Sequence, residues 1–255
     1  MPAPASLQDL YKRTRASAVK RSGASACHVK DVVPVVTANE DGVYWPALQV
    51  IGLNPFRVIP WLERFLDGTV VTAAETHHAL NAVVAMYHEH IHALGPKTLG
   101  PAFGRTIYFH GVRSEGAVDF ENGVTELWAR TSLTTLLHDT GLDDLLVQPP
   151  EYQSPTYVLE MGAVAAVVEK IAELTAANEL EVLRLMASHA PDTRAVALGE
   201  FLADRRGTPF DRREHVADAF SQAFREVQLV EDITSGDYPG WARTELWVAV
   251  LKAET

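Results

Sequence analysis

The feature that most constrains this chain is the segment His-Glu-His-Ile-His, which satisfies the pattern H-E-x-x-H through His88, Glu89 and His92. Apolar residues around it recur at spacings of three and four, which predicts a helix over 74–94 with Thr72 as its N-cap. On a helix, positions i and i+4 lie about 40° apart around the axis and about 6 Å apart along it. Because two imidazoles at this spacing reach one tetrahedral ion, we expect His88 and His92 to bind zinc.

Glu89 follows the first of these histidines directly and lies beside both on the predicted helix. Zinc lowers the pKa of a bound water towards roughly 7 and polarises a scissile carbonyl, and a neighbouring carboxylate then serves as general base. A purely structural zinc site normally has four protein ligands and no use for such a carboxylate. The motif therefore predicts a zinc-dependent hydrolase with Glu89 as the catalytic base.

A catalytic zinc usually takes three protein ligands and leaves the fourth position to water. The segment Glu-Asn-Gly-Val-Thr-Glu offers the third, because Asn122 is a predicted N-cap and Glu126 lies one turn inside the helix that it would begin. Glu126 is the preferred ligand and Glu121 the alternative, with a histidine or aspartate elsewhere also open. The predicted metal ligands are therefore His88, His92 and Glu126.

Together the two motifs resemble the gluzincin family of HExxH zinc metallopeptidases, in which a second helix supplies a glutamate ligand some tens of residues after the first. The resemblance is limited to about residues 72–140. Many gluzincins have a glutamate directly before the glycine of the second motif, where this chain has Asn122. The resemblance implies a zincin-like fold and hydrolysis of a peptide or amide bond.

The resemblance also implies that a tyrosine or histidine from a later segment stabilises the oxyanion of the transition state. Tyr157 is the preferred residue for this role because it opens a predicted helix. The other candidates are Arg130, His138, Tyr152, His189 and His215.

The remaining histidines of the predicted helix are not expected to share the ion. His90 lies about 160° around the axis from His88 and from His92, so we expect an outer-sphere or surface residue. His77 and His78 lie about 20 Å from His92 by axial rise, and we expect a capping or solvated role for them.

Two other classes of metal site fit the same residues less well. The sequences Glu75-x-x-His78 and Glu89-x-x-His92 both match an element of di-iron bundles, but they lie on one predicted helix, whereas such a centre needs different helices. A cupin-like His-x-His would need the alternation of a strand, which this segment lacks.

The rest of the chain predicts a mainly α (α+β) fold, a zincin-like helical domain with a small N-terminal β-sheet, spanning residues 1–255 as a single domain. Residues 1–25 form a basic arm that could be mobile, 31–53 the small sheet, 72–140 the metal-binding core and 155–255 a helical region. Helices are predicted at 7–19, 55–66, 123–138, 155–177, 179–188, 193–205 and 212–230.

Composition restricts the partners and the compartment. A formal net charge of -11 argues against nucleic acid, because phosphate binding needs clustered Lys and Arg. No apolar stretch approaches the roughly 20 residues that span a bilayer, so no membrane partner is expected. The single cysteine and the lack of a secretory signal favour the cytoplasm, although signal-independent export would leave no mark, and the oligomeric state is not determined.

The sequence thus predicts a soluble zinc metallopeptidase that cleaves a peptide, protein or amide substrate. One alternative is a non-catalytic helical binding protein with a structural or vestigial metal site. Another is a zinc hydrolase or lyase acting on a small molecule, since this chemistry needs the same activated water.

Overall fold

The structure, a computed structural model, describes residues 2–37, 40–95, 108–109, 112–113, 115–146, 157–230 and 232–254. These residues form a mainly helical fold with a small N-terminal sheet, which confirms the predicted fold class. The chain divides into two compact units. Unit 1 comprises Met1–Arg105 and Trp128–Pro155, and unit 2 comprises Thr106–Leu127 and Thr156–Thr255. The organisation as a single domain stays a prediction.

Unit 1 consists of short strands and of helices that surround one long buried helix. Its elements are α1 (Leu7–Ser22), β1 (Ala26–Cys27), β2 (Asp31–Pro34), β3 (Gly42–Trp45), β4 (Val50–Leu53), α2 (Ile59–Leu66), α3 (Ala73–His92) and β5 (Leu94–Gly95). Unit 2 begins with β6 (Tyr108–Phe109), β7 (Val112–Arg113) and α4 (Glu115–Thr131), and the last turn of α4 belongs to unit 1. Unit 1 then adds α5 (Leu133–Thr140) and a 3-10 turn, Asp143–Leu145.

Unit 2 continues as a set of packed helices. They are α6 (Val158–Thr175), α7 (Glu179–Ser188), α8 (Pro191–Arg205), α9 (Phe210–Leu229) and α10 (Tyr238–Glu254). The strands β6 and β7 pair antiparallel as a hairpin. Helices α8 and α9 approach each other closely at Gly199, where a Cβ would collide with the carbonyl oxygen of Ala217. Among the described residues, no helix is both long and apolar enough to cross a membrane.

The predicted N-terminal sheet has three strands in the order β2-β4-β3. The central strand β4 pairs parallel with β2, where Val32 lies opposite Ile51, and antiparallel with β3, where Tyr44 lies opposite Ile51. Ile51 and Leu53 are fully buried, and the sheet packs on α3. The edge strand β3 is thereby held against the C-terminal half of the long helix.

The predicted arm at the N-terminus is a packed helix in the structure. Leu10 and Ala18 of α1 are fully buried. The carboxylate of Asp139 on α5 accepts hydrogen bonds from Arg21 at 2.5 Å, Lys20 at 2.9 Å and Ser17 at 3.0 Å. Three donors from one helix thus attach α1 to α5.

Helix α3 begins where the sequence predicts it. The Thr72 hydroxyl accepts a hydrogen bond from the Glu75 backbone N–H, and the Glu75 carboxylate accepts one from the Thr72 N–H, which is a complete capping box. The helix ends at His92, two residues before the predicted end. Leu94 and Gly95 leave the helix because they pair antiparallel with β1.

The predicted helix over 123–138 has the wrong bounds. Helix α4 already begins at Glu115 and a second helix follows from Leu133, so Asn122 lies in mid-helix and is not an N-cap. Gly123 is not a turn residue either. A Cβ there would lie 2.7 Å from the carbonyl oxygen of Glu160 on α6, so glycine permits the close approach of α4 and α6.

The later helices follow the predictions closely, with one omission. The prediction over 179–188 matches α7, whereas α8 and α9 each begin two residues earlier than predicted. No helix was predicted over α10. Apolar residues lie all around its axis, because Trp241, Trp247 and Leu251 are exposed on the side opposite the buried residues, so no single apolar face marks this helix in the sequence.

Candidate metal centre on helix α3

The two predicted histidine ligands converge on one point. The Nε2 atoms of His88 and His92 lie 3.0 Å apart, and their rings are inclined at 74° with centroids 4.7 Å apart. In a tetrahedral site with Zn–N bonds of about 2.0–2.1 Å, two ligand nitrogens lie about 3.3 Å apart. The pair therefore has the donor type and nearly the separation that zinc needs.

Solvent reaches this pair along a narrow strip of α3. Beyond His78 the helix is buried except at Asn81, Ala85 and His92, which are partly exposed. These three positions fall within about 40° around the axis, and His88, which is 5% exposed, lies directly beside them. Water or a small ligand thus has access to the histidine pair from one side.

Glu89 lies between α3 and the edge strand of the sheet. Its side chain is 7% exposed. A Cβ on Gly42 of β3 would lie 2.7 Å from Glu89 Cγ and 3.1 Å from Oε1, so the strand passes directly over this carboxylate. The glycine leaves room for Glu89, and the strand restricts where its carboxylate can lie.

His90 is a core residue that faces away from the pair. It is 1% exposed, and its Nδ1 donates to the carbonyl oxygen of Met86 at 2.8 Å. The other ring nitrogen is buried and has no hydrogen-bond partner among the described residues. Burial lowers the pKa of His90 to about 4, so the ring is neutral at physiological pH. This position agrees with the expectation that His90 does not bind the same ion as His88 and His92. The alternative expectation that His90 lies on the surface is wrong.

His77 and His78 lie at the other end of the helix. His78 is exposed and stacks on Trp61 with ring centroids 4.9 Å apart, while the guanidinium of Arg64 lies 4.8 Å from the centroid of the same indole. Thr72 caps the helix, so the option of a capping histidine is wrong. These histidines belong to an aromatic cluster with α2.

The two glutamates of the second motif lie on α4 and have different surroundings. Glu121 is 2% exposed, and its Oε2 accepts a hydrogen bond from Arg194 Nη2 at 2.5 Å. Its Oε1 accepts one from the Thr125 hydroxyl at 3.3 Å. Both carboxylate oxygens of Glu121 are thus used within unit 2, which disfavours this residue as a metal ligand.

Glu126 is 4% exposed and lies about 140° around α4 from Glu121. It therefore points in another direction from the ion pair. Within the described part of the chain, no three His, Cys, Asp or Glu side chains form a group that could hold a metal. Glu126 stays the predicted third ligand.

Tyr157, the predicted oxyanion stabiliser, has an unusual backbone. It precedes α6 in the left-handed region, with φ 56° and ψ 27°, a conformation that non-glycine residues seldom adopt. It lies one turn before Glu160, whose carbonyl contacts Gly123, and Glu126 lies one turn after Gly123. Within unit 2, Tyr157 and Glu126 thus each lie one turn from the close approach of α4 and α6.

The other candidates for this role are less well placed. His138 is exposed and its Nδ1 lies 2.8 Å from the Asp143 carboxylate. His189 Nδ1 lies 2.9 Å from the carbonyl oxygen of Leu185, and His215 is exposed. Arg130 is partly buried, and Tyr152 lies outside the described residues.

No protein-family model, curated protein or solved structure matches this chain. The resemblance to gluzincins therefore rests on the residues of the two motifs alone.

The residues singled out from the sequence did not include Arg194. Among the described residues it is one of the largest fully buried side chains, and it is the partner of Glu121. Its surroundings in the sequence, Pro-Asp-Thr-Arg, carry no signal that separates it from an exposed arginine. Only its contacts with another helix reveal its role.

Proposed function

We propose that this protein is a zinc-dependent hydrolase, of which a metallopeptidase is the most specific form, with zinc held by His88, His92 and Glu126. The observation that carries the proposal is the convergence of the two Nε2 atoms at 3.0 Å on a partly accessible strip of α3. Two imidazoles with this separation match a pair of zinc ligands. Glu89, the next residue, supplies the carboxylate that a structural site would not need.

Each protein group has a defined part in the proposed reaction. Zinc, when bound, supplies an activated water and polarises the scissile carbonyl. Glu89 accepts the proton of the attacking water and returns it to the leaving nitrogen. Tyr157 is the proposed donor to the oxyanion. The expected substrate is a peptide, a protein or another amide.

The distance between the two Nε2 atoms is also compatible with a second function. A separation of 3.0 Å also suits an N–H···N hydrogen bond between two neutral imidazoles. In that case the chain is a non-catalytic helical binding protein, and its motif has no metal or only a vestigial site. The two functions differ in whether the purified protein contains zinc.

The first experiment is to measure metal content by elemental mass spectrometry on protein purified without chelators or nickel columns. We expect about one zinc per chain in the wild type and little or none in His88→Ala. Glu126→Ala is expected to lose most of the zinc if this residue is the third ligand. His78→Ala is the matched control, because it removes an exposed histidine of the same helix that faces Trp61, and it should keep the metal. A wild type that contains no zinc and takes up none would rule out the hydrolase.

Activity is tested on the zinc-loaded protein with a peptide library and a panel of small amides and esters. Glu89→Gln is the control, since the amide keeps the size of the side chain but cannot accept the proton. We expect cleavage of peptides by the wild type and none by Glu89→Gln at equal zinc content. Cleavage restricted to small molecules would identify the alternative hydrolase.

A further inference from the structure

Helix α10 carries apolar residues on all sides, but only one side of it is covered. The covered side packs on α6 and α9. Its buried residues are Ala242, Leu246, Val250 and Ala253. On the outer side, Trp241, Trp247 and Leu251 are 37%, 41% and 43% exposed. A helix with apolar residues all round usually buries them on all sides. The outer side of α10 is therefore a surface that a partner would cover.

Six uncharged residues form a stripe along this outer side: Gly240, Trp241, Thr244, Trp247, Val248 and Leu251. These residues, the outer stripe, lie within an arc of about 120° around the helix axis. Its central residues recur at intervals of three, four and three, the a/d spacing of a heptad repeat: Trp241, Thr244, Val248 and Leu251. The hydroxyl of Thr244 donates to the carbonyl oxygen of Gly240 at 2.9 Å, so a partner that covered Thr244 would leave this donor satisfied. The outer stripe thus has the spacing that a second helix needs for close packing.

Charged residues border the outer stripe on both edges. On one edge, Arg243 forms an ion pair with Glu169 of α6, within the same chain. On the other edge, Glu245 and Lys252 lie seven residues apart and occupy the two e positions of the heptad. Charges at e positions commonly set the partner and the orientation of helices that pack in this way. Glu245 and Lys252 therefore indicate what covers the stripe.

The opposite signs of these two residues match a second copy of α10 that runs antiparallel. In an antiparallel pair the e positions of the two helices face each other, and a two-fold axis repeats every contact. An axis near Val248 then places Glu245 of each chain beside Lys252 of the other, which gives two attractive pairs. In a parallel pair the e positions face the g positions, here Gly240 and Trp247, and no ion pair forms. The outer stripe is thus complementary to itself in the antiparallel direction.

We propose that the outer stripe of α10 is a dimerisation surface, and that its partner is the outer stripe of a second copy of this chain, packed antiparallel. A membrane surface fits less well, because helices that lie on membranes carry Lys and Arg along their polar face. The outer stripe is bordered by charges of both signs, and the net charge of -11 opposes binding to anionic lipid. The inference uses only residues of unit 2 and does not depend on zinc.

The test measures the oligomeric state of the full chain by sedimentation velocity from about 1 to 300 µM, the range in which small interfaces dissociate. We expect a reversible equilibrium between monomer and dimer in the wild type. Val248→Lys places two lysines near the two-fold axis and should weaken the dimer at least about 10-fold. The matched control is Val196→Lys, which changes a valine of α8 that is 42% exposed. Its dimer should be as stable as that of the wild type. Thermal midpoints establish that each variant is folded.

Exchanging the two charges tests the antiparallel arrangement. Glu245→Lys and Lys252→Glu each bring like charges together at both ends of the interface, and each should weaken the dimer about 10-fold. The double variant Glu245→Lys with Lys252→Glu restores the opposite charges and should dimerise within about twofold of the wild type. If Val248→Lys does not fold, the charge variants decide the question, because both residues lie at the surface edge of the stripe.

Three results would overturn the inference. A wild type that is monomeric over the whole concentration range has no such interface, and if that monomer binds vesicles of anionic lipid, the outer stripe is a membrane surface instead. A dimer of Val248→Lys as stable as that of the wild type would show that another surface forms the contact. A double charge variant that dimerises as weakly as the single variants would exclude the antiparallel pair.

Discussion

Helices α3 and α4 each carry one of the two motifs, and they differ in how their functional geometry is determined. On α3, His88 and His92 are four residues apart, so the helix places them side by side on one face. Their Nε2 atoms lie 3.0 Å apart. On α4, Glu121 and Glu126 are five residues apart, so they point in directions that differ by about 140°. Both are almost fully buried. Helix α4 by itself does not show which of the two carboxylates is the better metal ligand. The structure distinguishes them, because Arg194 of α8 forms an ion pair with Glu121.

The comparison shows that a motif is informative when its residues share one helical face. In that case local hydrogen bonding fixes the relative positions of the side chains. When candidate residues lie on different faces, the neighbouring elements decide which partners each of them meets. Predictions about α4 therefore depend on tertiary contacts, and predictions about α3 depend mainly on the helix itself.

The largest effect is expected from breaking the buried ion pair between Arg194 and Glu121 of α4. Arg194→Met leaves the Glu121 carboxylate buried without its cation, which should cost about 3–5 kcal/mol of the free energy of unfolding. Urea denaturation of the metal-free protein measures this. Arg205→Met, which removes an exposed arginine from the same helix, is the control and should change stability by no more than about 0.5 kcal/mol. An equal loss of stability in the two variants would mean that the buried ion pair of Arg194 with Glu121 contributes no more than the exposed pair of Arg205.

A smaller effect is expected at Asp139, whose ion pair with Arg21 lies partly in solvent. Comparing it with the buried pair of Arg194 and Glu121 tests how much burial of an ion pair contributes to the effect of breaking it. Asp139→Asn weakens the hydrogen bonds from Arg21, Lys20 and Ser17, and we expect a loss of about 2 kcal/mol at pH 7. The exposed Asp144→Asn on the following turn is the control. A loss at Asp139 as large as that in Arg194→Met would show that burial of the pair is not what matters.

The stabilisation by Asp139 is also expected to depend on pH. The hydrogen bonds from Arg21 hold the pKa of Asp139 well below its value of 3.8 in the unfolded chain. Because the folded pKa is the lower one, the stabilisation is fully present above about pH 4 to 5 and is lost as the pH falls through the folded pKa. The stability difference between wild type and Asp139→Asn should thus be constant from pH 7 to 5 and shrink below pH 4. A difference that grew on acidification would contradict the ion-pair role.

The smallest expected effect concerns α3, whose start is stabilised locally. Thr72→Ala removes the hydroxyl that accepts from the Glu75 N–H and should cost about 1 kcal/mol. Thr72→Ser keeps that hydroxyl and should lie within a few tenths of a kcal/mol of the wild type. Zinc content is expected to stay unchanged in both, since His88 lies more than four turns away. Loss of zinc in Thr72→Ala would show that the histidine geometry depends on more than the local helix.

Much of the fold followed from the sequence because its signals are local. The cap at Thr72, the spacing of apolar residues in α3 and the bounds of α7 are set by neighbours within a few residues. The errors have the opposite cause. Asn122 and Gly123 have the composition of a helix start, but the close approach of α6 at Glu160 explains the glycine. Helix α10 was missed because it lacks the single apolar face that predicts a helix.

The sequence by itself determined the mainly helical fold and the placing of His88, Glu89 and His92, the candidate ligands and candidate base, on one helix, because a helix turns the order of residues directly into spatial spacing. Tertiary structure decided that the strand at Gly42 covers Glu89, that His90 is a core residue and that Glu121 is bound to Arg194. These facts depend on residues far apart in the chain. No local periodicity encodes which of two buried carboxylates meets a distant arginine.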